Sequence, residues 1–256
     1  MRFFVPLVFI YQRMALDRTL LFLLLTLLAE IIGTIGGFGS SVFFVPFANI
    51  FFDFHTVLGI TAIFHLSSNL SKIFLFRKGL DKKLLLQIGI PSVVFVIIGG
   101  YLSKLFESRI LEIALGIFLI ALSLLFLLKD KLVIPPKLKQ TVIGGALSGF
   151  SAGLIGTGGA IRGLTMAAFN LEKSVFVATS AAIDMMIDMS RTVVYYSNGY
   201  ITKDILIYIP FLFLIGFIGS WIGQKILKTI SQAVFKRISL FLILLIGLFS
   251  LYQSLK

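Results

Sequence analysis

The sequence predicts an all-α integral membrane protein with about eight transmembrane helices, arranged as two four-helix repeats that each contain a glycine-rich helix break. Three observations support this prediction. The 256 residues are 58% hydrophobic and only 13% charged, with a mean hydropathy of +1.05, which leaves too little polar surface for a soluble domain of this size. Several apolar runs reach roughly 20 residues, the length of a helix that crosses a bilayer. Glycine-rich interruptions occur at matching places in the two halves.

The net charge of +12 would indicate a nucleic-acid partner in a soluble protein. Here the basic residues lie mostly in short loops between apolar runs, which is typical of cytoplasmic loops. We therefore expect the lipid bilayer, and not nucleic acid, to be the partner; a homodimer is left open. The chain has no cysteine, which excludes disulfides and thiolate metal sites, and no cofactor is expected. The basic residues of the first loops are Arg77, Lys78, Lys82, Lys83, Lys129, Lys131, Lys137 and Lys139.

The chain begins with a predicted interfacial segment, residues 1–19. Its apolar stretch, Phe3 to Tyr11, is only half a span long and is followed by polar residues, a pattern that favours a helix lying on the membrane surface. The first repeat, residues 20–128, opens with an apolar helix from Leu20 to Ile35. This helix halts at glycines and resumes from Ser41 to Phe52.

The remaining helices of the first repeat are each close to one crossing in length. They are predicted at Thr56–Phe76, Leu84–Ser103 and Arg109–Leu128. A basic linker follows at residues 129–139, because Pro135 and Pro136 with four lysines cannot continue a buried helix.

The second repeat, residues 140–256, follows the same scheme. Its predicted helices are Thr141–Ile155, Ile161–Asn170, Ser174–Tyr196, Ile205–Lys225 and Val234–Leu255. Similar residues recur at a spacing of 119 or 120 positions, in the pairs Gly36/Gly156, Lys72/Arg191, Gly79/Gly199, Pro91/Pro210 and Gly100/Gly219. A constant spacing over so many pairs predicts an internal duplication.

The relative direction of the repeats depends on what the glycine breaks do. If each broken helix crosses the membrane once, each repeat has four spans and the repeats are parallel. That arrangement places the N-terminus and the first two basic loops in the cytoplasm, but it places the basic residues from Lys225 to Arg237 outside. If the breaks are tips of re-entrant hairpins, each repeat has three spans and the repeats are inverted. The parallel arrangement is preferred and the inverted one is left open.

The two glycine breaks predict an anion site near the middle of the membrane. A helix that begins after a break presents free backbone N–H groups and the positive end of its dipole, and glycine allows an anion to approach closely. Paired interruptions of this kind mark binding sites in membrane transporters. The alternative is close helix packing without a ligand. The predicted binding residues are Gly36, Gly37, Gly39, Ser40, Gly156, Thr157, Gly158 and Gly159.

Arg162 lies in the first turn after the second break, at membrane depth. A buried guanidinium is costly unless it is paired, and its planar fork suits a two-oxygen acceptor such as a sulfonate or a carboxylate. We expect Arg162 to anchor a small anionic substrate. The alternative is an interhelical salt bridge with Glu30 or Asp184.

A polar stripe at helical spacing occurs twice. Its members are His65, Asn69 and Lys72 and, 119 residues later, Asp184, Asp188 and Arg191. Ionisable residues at membrane depth usually face the bundle interior and often mark proton routes. Asp184 or Asp188, with His65 and Glu30 as further candidates, is therefore predicted to carry a coupling proton. The alternatives are that Asp188 and Arg191 neutralise each other and that Lys72 extends to the basic loop.

Three motifs in this chain are distinctive as a set. They are Gly33-x-x-Gly36-Gly37-x-Gly39 with Pro46, the run from Gly149 and Gly153 through Gly156-x-Gly158-Gly159-Ala160-Ile161-Arg162-Gly163, and Ala178-Thr179-Ser180-Ala181. Together they resemble the sulfite exporter TauE/SafE family over about residues 20–254. The resemblance implies a multi-pass permease of a prokaryotic plasma or inner membrane that moves sulfite, sulfoacetate or related organosulfonates. This chain departs from the family pattern at Phe38 and at Met166, which stands where the first repeat has Pro46.

The predicted function is a secondary exporter of small sulfur-containing anions that works by alternating access. An anion channel, or a permease for another small organic anion, is the alternative. The sequence contains no H-E-x-x-H, P-loop or G-x-S-x-G motif, so an enzyme is not expected.

Overall fold

The computed structural model is all-helical over the residues that it describes, which are 4–36, 39–76, 79–128, 137–167, 169, 171–227, 229 and 232–255; side chains are not described at 4–16, 36, 173 and 232–239. Within these residues there are eleven helices and no strand. They are α1 (Phe4–Gly36), α2 (Ser41–Ala48), α3 (Phe54–Leu75), α4 (Lys82–Ser103), α5 (Ser108–Leu128), α6 (Leu138–Ile155), α7 (Gly159–Ala167), α8 (Lys173–Ser197), α9 (Lys203–Leu206), α10 (Ile209–Leu227) and α11 (Gln232–Leu255).

Five stretches of the described helices are long and apolar enough to cross a membrane: Asp17–Ile35, Phe54–Leu75, Lys82–Ser103, Ser108–Leu128 and Ile209–Leu227. Their outward faces carry many exposed large apolar side chains, for example Ile90 and Val94 on α4 and Ile117 on α5. Exposed apolar surface of this extent is suited to lipid and not to water. The fold is therefore that of an integral membrane protein.

Helix α1 runs without interruption from Phe4 to Gly36. No break separates the predicted interfacial segment from the first span, although a position on the membrane surface for its first part remains a prediction. Two later helices begin at carboxylate caps: Asp53 accepts a hydrogen bond from the Thr56 backbone N–H at the start of α3, and Asp81 accepts one from the Leu84 backbone N–H at the start of α4. Such caps satisfy amide groups that have no partner inside the helix.

At the first glycine break the chain turns back on itself. Gly33 of α1 is in close contact with the backbone of Ser40, and the Arg18 guanidinium donates a hydrogen bond of 3.1 Å to the Phe51 carbonyl. The start of α1 therefore lies beside the residues that follow α2. Gly39, with φ +81°, adopts the left-handed conformation that glycine tolerates best. Helices α1 and α2 form a hairpin, called hairpin 1 below.

The second break has the same form. Gly144 of α6 is in close contact with the Thr165 side chain of α7, and Gly156 has φ +78°. Helices α6 and α7 form hairpin 2. The prediction that each broken helix resumes in the same direction is therefore wrong, because the chain reverses its direction at both breaks.

The helices that occupy equivalent places in the two halves run in opposite directions. Helices α3 and α8 pack together with Gly59 beside Tyr200 and Asn69 bonded to Asp188, an antiparallel alignment. Helices α5 and α11 are also antiparallel, since Ser123 bonds the Leu240 carbonyl near one end and Arg109 bonds the Ser254 carbonyl near the other. The preferred parallel arrangement of repeats is wrong, and the inverted alternative agrees with these directions.

These directions bring the basic helix ends to one side of the bundle. Gln224 near the end of α10 donates to the Leu75 carbonyl at the end of α3, at 2.8 Å. The Asp81 backbone N–H before α4 donates to Thr179 near the start of α8, at 3.0 Å. Helix α6 starts at this end too, because it runs alongside α4 with Gly145 against Ile88. The described lysines at this end include Lys82, Lys83, Lys137, Lys139 and Lys225.

The two halves of the chain interlock. Helix α1 packs along α10, and α6 packs along α4, so each hairpin is held by a helix of the other half. Small residues make this closeness possible: Gly145, Gly149 and Gly153 of α6 lie against the α4 backbone, and Gly219 and Gly223 of α10 lie against Glu30 and Thr34 of α1.

Gly149→Ala is expected to loosen the contact between α4 and α6. An added methyl group would meet the Ser92 carbonyl oxygen and lie 2.7 Å from the Ser92 carbonyl carbon, and backbone cannot yield as a side chain does. We expect the free energy of unfolding to fall by about 1–3 kcal/mol, measured by chemical unfolding in micelles. The matched control is Gly89→Ala, whose methyl group would meet the flexible Met186 side chain at 3.2 Å. Equal losses in the two variants would contradict the prediction.

Candidate functional site

The tips of the two hairpins meet inside the protein, as the sequence predicted. The hydroxyls of Ser41 and Thr157 are 3.1 Å apart. A methyl group on Gly39 would lie 3.8 Å from the Gly159 Cα and 3.8 Å from Nη2 of Arg162. Helices α2 and α7 both begin at this place, so both direct their free N–H groups and positive dipole ends towards it.

Around the tips lies a set of buried polar side chains that we call the central polar cluster. It contains Glu30, His65, Asn69, Lys72, Arg162, Asp184, Asp188 and Arg191, all of them predicted from the sequence. The cluster joins α1, α3, α7 and α8. All three of its carboxylates are paired with a cation, and the pairs differ from one another in burial and in their further contacts.

Glu30 is fully buried and is surrounded by donors. Its Oε1 atom is 2.8 Å from the Lys72 ammonium. The remaining donors are hydroxyls: Ser68, Ser220 and Thr34 to Oε1 at 2.7, 2.8 and 3.0 Å, and Ser40 to Oε2 at 2.7 Å. The suggested pairing of Glu30 with Arg162 is therefore wrong. Lys72 does not extend to the basic loop but is buried against Glu30.

Each of the three guanidinium nitrogens of Arg162 donates a hydrogen bond within the protein. Its Nη1 and Nη2 atoms donate to the two carboxylate oxygens of Asp184, the second at 2.5 Å, and its Nε atom donates to the Ser180 hydroxyl at 3.0 Å. The interhelical salt bridge with Asp184 is thus present in this structure. The Arg162 side chain is only 1% exposed, whereas that of Asp184 is 20% exposed.

The two polar stripes meet across the contact between α3 and α8. Asn69 donates to Asp188 at 2.6 Å, and Asp188 also pairs with Arg191 at 2.7 Å, as the i, i+3 spacing indicated. Arg191 donates to the Gly156 carbonyl at 3.0 Å, and so satisfies a carbonyl at the end of α6. His65 lies 3.2 Å from the Ser40 hydroxyl and 3.4 Å from Arg191.

A small cavity lies beside the Arg162–Asp184 pair. Six of its lining residues are Gly33, Gly39, Asn69, Lys72, Arg162 and Asp184. Its volume of about 20 Å³ has room for about one water molecule. A sulfur oxyanion is larger than one water molecule, and we call this conformation of the site, in which Asp184 contacts Arg162, the closed conformation.

Some predicted residues take part less directly. Gly36 is the last residue of α1, and Gly37 lies outside the described residues. Gly158 lies against Ser148, whose hydroxyl donates to its carbonyl at 2.8 Å, so it has a packing role. Two polar neighbours of the cluster, Thr34 and Ser220, were not predicted. Thr34 stands one helical turn after Glu30 and could have been found from that spacing, whereas no local pattern marks Ser220.

Comparisons with known proteins find similarity along most of the chain. The model of the family described as "Sulfite exporter TauE/SafE" matches residues 22–250. A protein of Methanocaldococcus jannaschii named "probable membrane transporter protein" is 28% identical to this chain over an alignment 266 residues long. The alignment covers 92% of this chain and 95% of that protein.

Proposed function

Because the chain belongs to the sulfite exporter TauE/SafE family, we propose that it is a multi-pass membrane permease that exports small sulfur-containing anions. Sulfite, sulfoacetate and related organosulfonates are the proposed substrates, and alternating access is the proposed mechanism. The observation that carries the proposal is the meeting of the two hairpin tips around a buried arginine.

Arg162 is the proposed anchor of the substrate. It lines the cavity between the tips, and its two Nη atoms form the planar fork that binds two oxygens of one acceptor. The starts of α2 and α7 add partial positive charge at the same place. The glycines supply close approach to the backbone, and Ser40, Thr157 and Ser180 supply nearby hydroxyls.

The helix contacts suggest which parts move. Helices α1, α2, α3 and α10 pack with one another, as do α4, α6, α7 and α8, and the two groups touch mainly through α3 and α8 and at the hairpin tips. Each group contains helices from both halves of the sequence. We infer that the halves are inverted repeats and that these two mixed groups, and not the halves themselves, move against each other around the site.

The basic end of the bundle gives the proposed orientation. Lys82, Lys83, Lys137, Lys139 and Lys225 lie at one end, and positive charge near the ends of membrane helices favours the cytoplasm. We place this end in the cytoplasm of a prokaryotic plasma membrane. Hairpin 2 then enters the membrane from the cytoplasm and hairpin 1 enters from the opposite side.

Counterflow in proteoliposomes tests the mechanism. Vesicles that contain the purified protein and a high concentration of unlabelled sulfoacetate are diluted into a trace of labelled sulfoacetate. A carrier returns to the outside with its site loaded, so the label should transiently accumulate above its outside concentration. A channel gives simple equilibration without this overshoot.

The assay is repeated with sulfite, thiosulfate and taurine, and with vesicles that lack the protein as the control. Equilibration without overshoot would overturn alternating access and favour an anion channel. If none of these solutes moves faster than in empty vesicles, the proposed substrate class is wrong.

A further inference from the structure

We propose that the Asp184 carboxylate occupies the place of the substrate in the closed conformation, and that a substrate anion displaces it from Arg162 while Asp184 takes up one proton. This inference rests on the proposed function and deepens it: anion and proton bind together, and Asp184 is the group that couples them. The ligand class is an anion with two oxygens on one atom, such as a sulfite, sulfonate or carboxylate.

The geometry of the pair is that of a ligand held in a binding site. Both Nη atoms of Arg162 contact the two oxygens of one carboxylate, while Nε is held separately by Ser180. A substrate can form this same two-point contact only after Asp184 leaves, because one N–H of each Nη atom is already bonded to that carboxylate. A halide has no pair of oxygens with which to replace this contact.

Asp184 is the carboxylate of the cluster that can move. Its side chain is 20% exposed, while those of Glu30 and Asp188 are 0% and 2% exposed. It lines the cavity together with Arg162. Glu30 is held by Lys72 and four hydroxyls, and Asp188 is held by Arg191 and Asn69.

The charges of the cluster require compensation when an anion enters. The cations Lys72, Arg162 and Arg191 balance the carboxylates Glu30, Asp184 and Asp188 when all six are ionised. An added anion would leave one uncompensated negative charge in a site surrounded by apolar helices, which is costly. A carboxylate that loses its cation in such a place becomes neutral by taking up a proton. Protonation of Asp184 restores the balance for a monovalent anion, and for divalent sulfoacetate it removes one of the two added negative charges.

Among the residues whose side chains the structure describes, the neighbours of Asp184 offer it no second cation that is not already paired. Asn69 and Lys72 of α3 and Thr34 of α1 line the same cavity, but Lys72 is already paired with Glu30. Along α8, Arg191 is already paired with Asp188. The released carboxylate of Asp184 therefore finds water and neutral groups. The proton comes from a hydronium ion in the water that enters the opened site: one of its O–H bonds breaks as an O–H bond on Asp184 forms, and a water molecule is left.

Calorimetry measures the proton directly. Sulfoacetate is titrated into the purified full-length protein in two buffers that differ in their enthalpy of ionisation, between about pH 6 and about pH 8, where both acid groups of this probe are ionised. We expect uptake of about one proton per sulfoacetate bound. Where Asp184 is ionised in the free protein, the dissociation constant should rise about tenfold for each unit of pH increase.

Asp184→Asn is the decisive variant, because asparagine cannot take up the proton and binds Arg162 without a full charge. Sulfoacetate should bind to it with a dissociation constant that does not change with pH, more tightly than to the wild type at the upper pH, and without proton uptake. Asp184→Glu, which keeps an acid at the same position and leaves the charge of the cluster unchanged, is the matched comparison and should retain proton uptake.

The outcomes separate this inference from the proposed function. Binding to the wild type without proton uptake, or unchanged uptake in Asp184→Asn, overturns the coupling role of Asp184 and leaves the permease intact. Loss of uptake in Asp184→Glu, where an acid remains at the position, also overturns it. If sulfoacetate and sulfite bind to neither the wild type nor Asp184→Asn, the proposed substrate class fails and the inference fails with it.

Discussion

Lys72→Met is expected to lower the free energy of unfolding by about 3–5 kcal/mol, because it leaves the buried Glu30 carboxylate without its cation. Glu30 is 0% exposed and its Oε1 atom is 2.8 Å from the Lys72 ammonium. The surrounding hydroxyls satisfy its oxygens but cannot neutralise its charge. Chemical unfolding in micelles, followed by circular dichroism, gives the free energy.

The compensating variant is Glu30→Gln in the Lys72→Met background. Glutamine keeps the size of the side chain and an oxygen for the Ser68 and Ser220 hydroxyls, and removing both charges of a buried pair is often nearly neutral. The double variant should therefore recover most of the lost stability. If it is as unstable as Lys72→Met alone, the ion pair is not the source of the effect.

Arg162→Ala in an Asp184→Asn background is expected to weaken sulfoacetate binding by roughly 30-fold to several thousand-fold, the equivalent of about 2–5 kcal/mol for losing one partner of a buried charged contact. The second substitution is needed because Asp184 would otherwise remain as an unpaired carboxylate. Calorimetry of the purified variant gives the dissociation constant, with Asp184→Asn alone as the reference.

Arg162→Lys in the same background separates charge from shape. Lysine keeps the positive charge but has no planar pair of donors, so binding should be intermediate between that of arginine and that of alanine. Wild-type affinity in the alanine variant would contradict the assignment of Arg162 as the anchor. Equal affinity in the lysine and arginine forms would show that sulfoacetate binding depends on the positive charge at position 162 and not on the planar pair of donors.

The position of the site could be predicted from the sequence because the patterns that mark it recur at matching places in the two halves of the chain. The spacing of 119 or 120 residues pairs the glycine breaks and the polar stripes, and the structure brings both pairs together, with Ser41 against Thr157 and Asn69 against Asp188. Apolar runs of membrane length likewise predicted the helical fold. The apolar runs and the constant spacing are visible in the order of residues along the chain, without any knowledge of the tertiary fold.

The chain direction after each break could not be predicted in the same way. Glycine permits a helix to continue or to reverse, and the reversal is seen only in the tertiary contacts, those of Gly33 with Ser40 and of Gly144 with Thr165. One signal in the sequence did oppose the parallel arrangement: Lys225 and the basic residues after it fell on the wrong side. With reversal at both breaks, Lys225 lies at the same end as Lys82 and Lys83.

Which carboxylate of the central polar cluster pairs with which cation could not be decided from the sequence either. The cluster has as many carboxylates as cations, and spacing within one helix identifies only the Asp188–Arg191 pair. Glu30 meets Lys72 because α1 and α3 are brought together by hairpin 1, and Arg162 meets Asp184 because α7 folds back towards α8. Contacts of this kind depend on the tertiary fold.

The packing of α1 on α10 also has a consequence for biosynthesis. Helix α1 ends at Gly36 and α10 ends at Leu227, so the ribosome completes the second helix about 10 to 40 s after the first at translation rates of roughly 5–20 residues per second. During that interval the flank of Glu30 later covered by Gly219 has no permanent neighbour. Lys72, the cation of Glu30, is made early, whereas the Ser220 hydroxyl and the packing of Gly219 arrive only with the late helix.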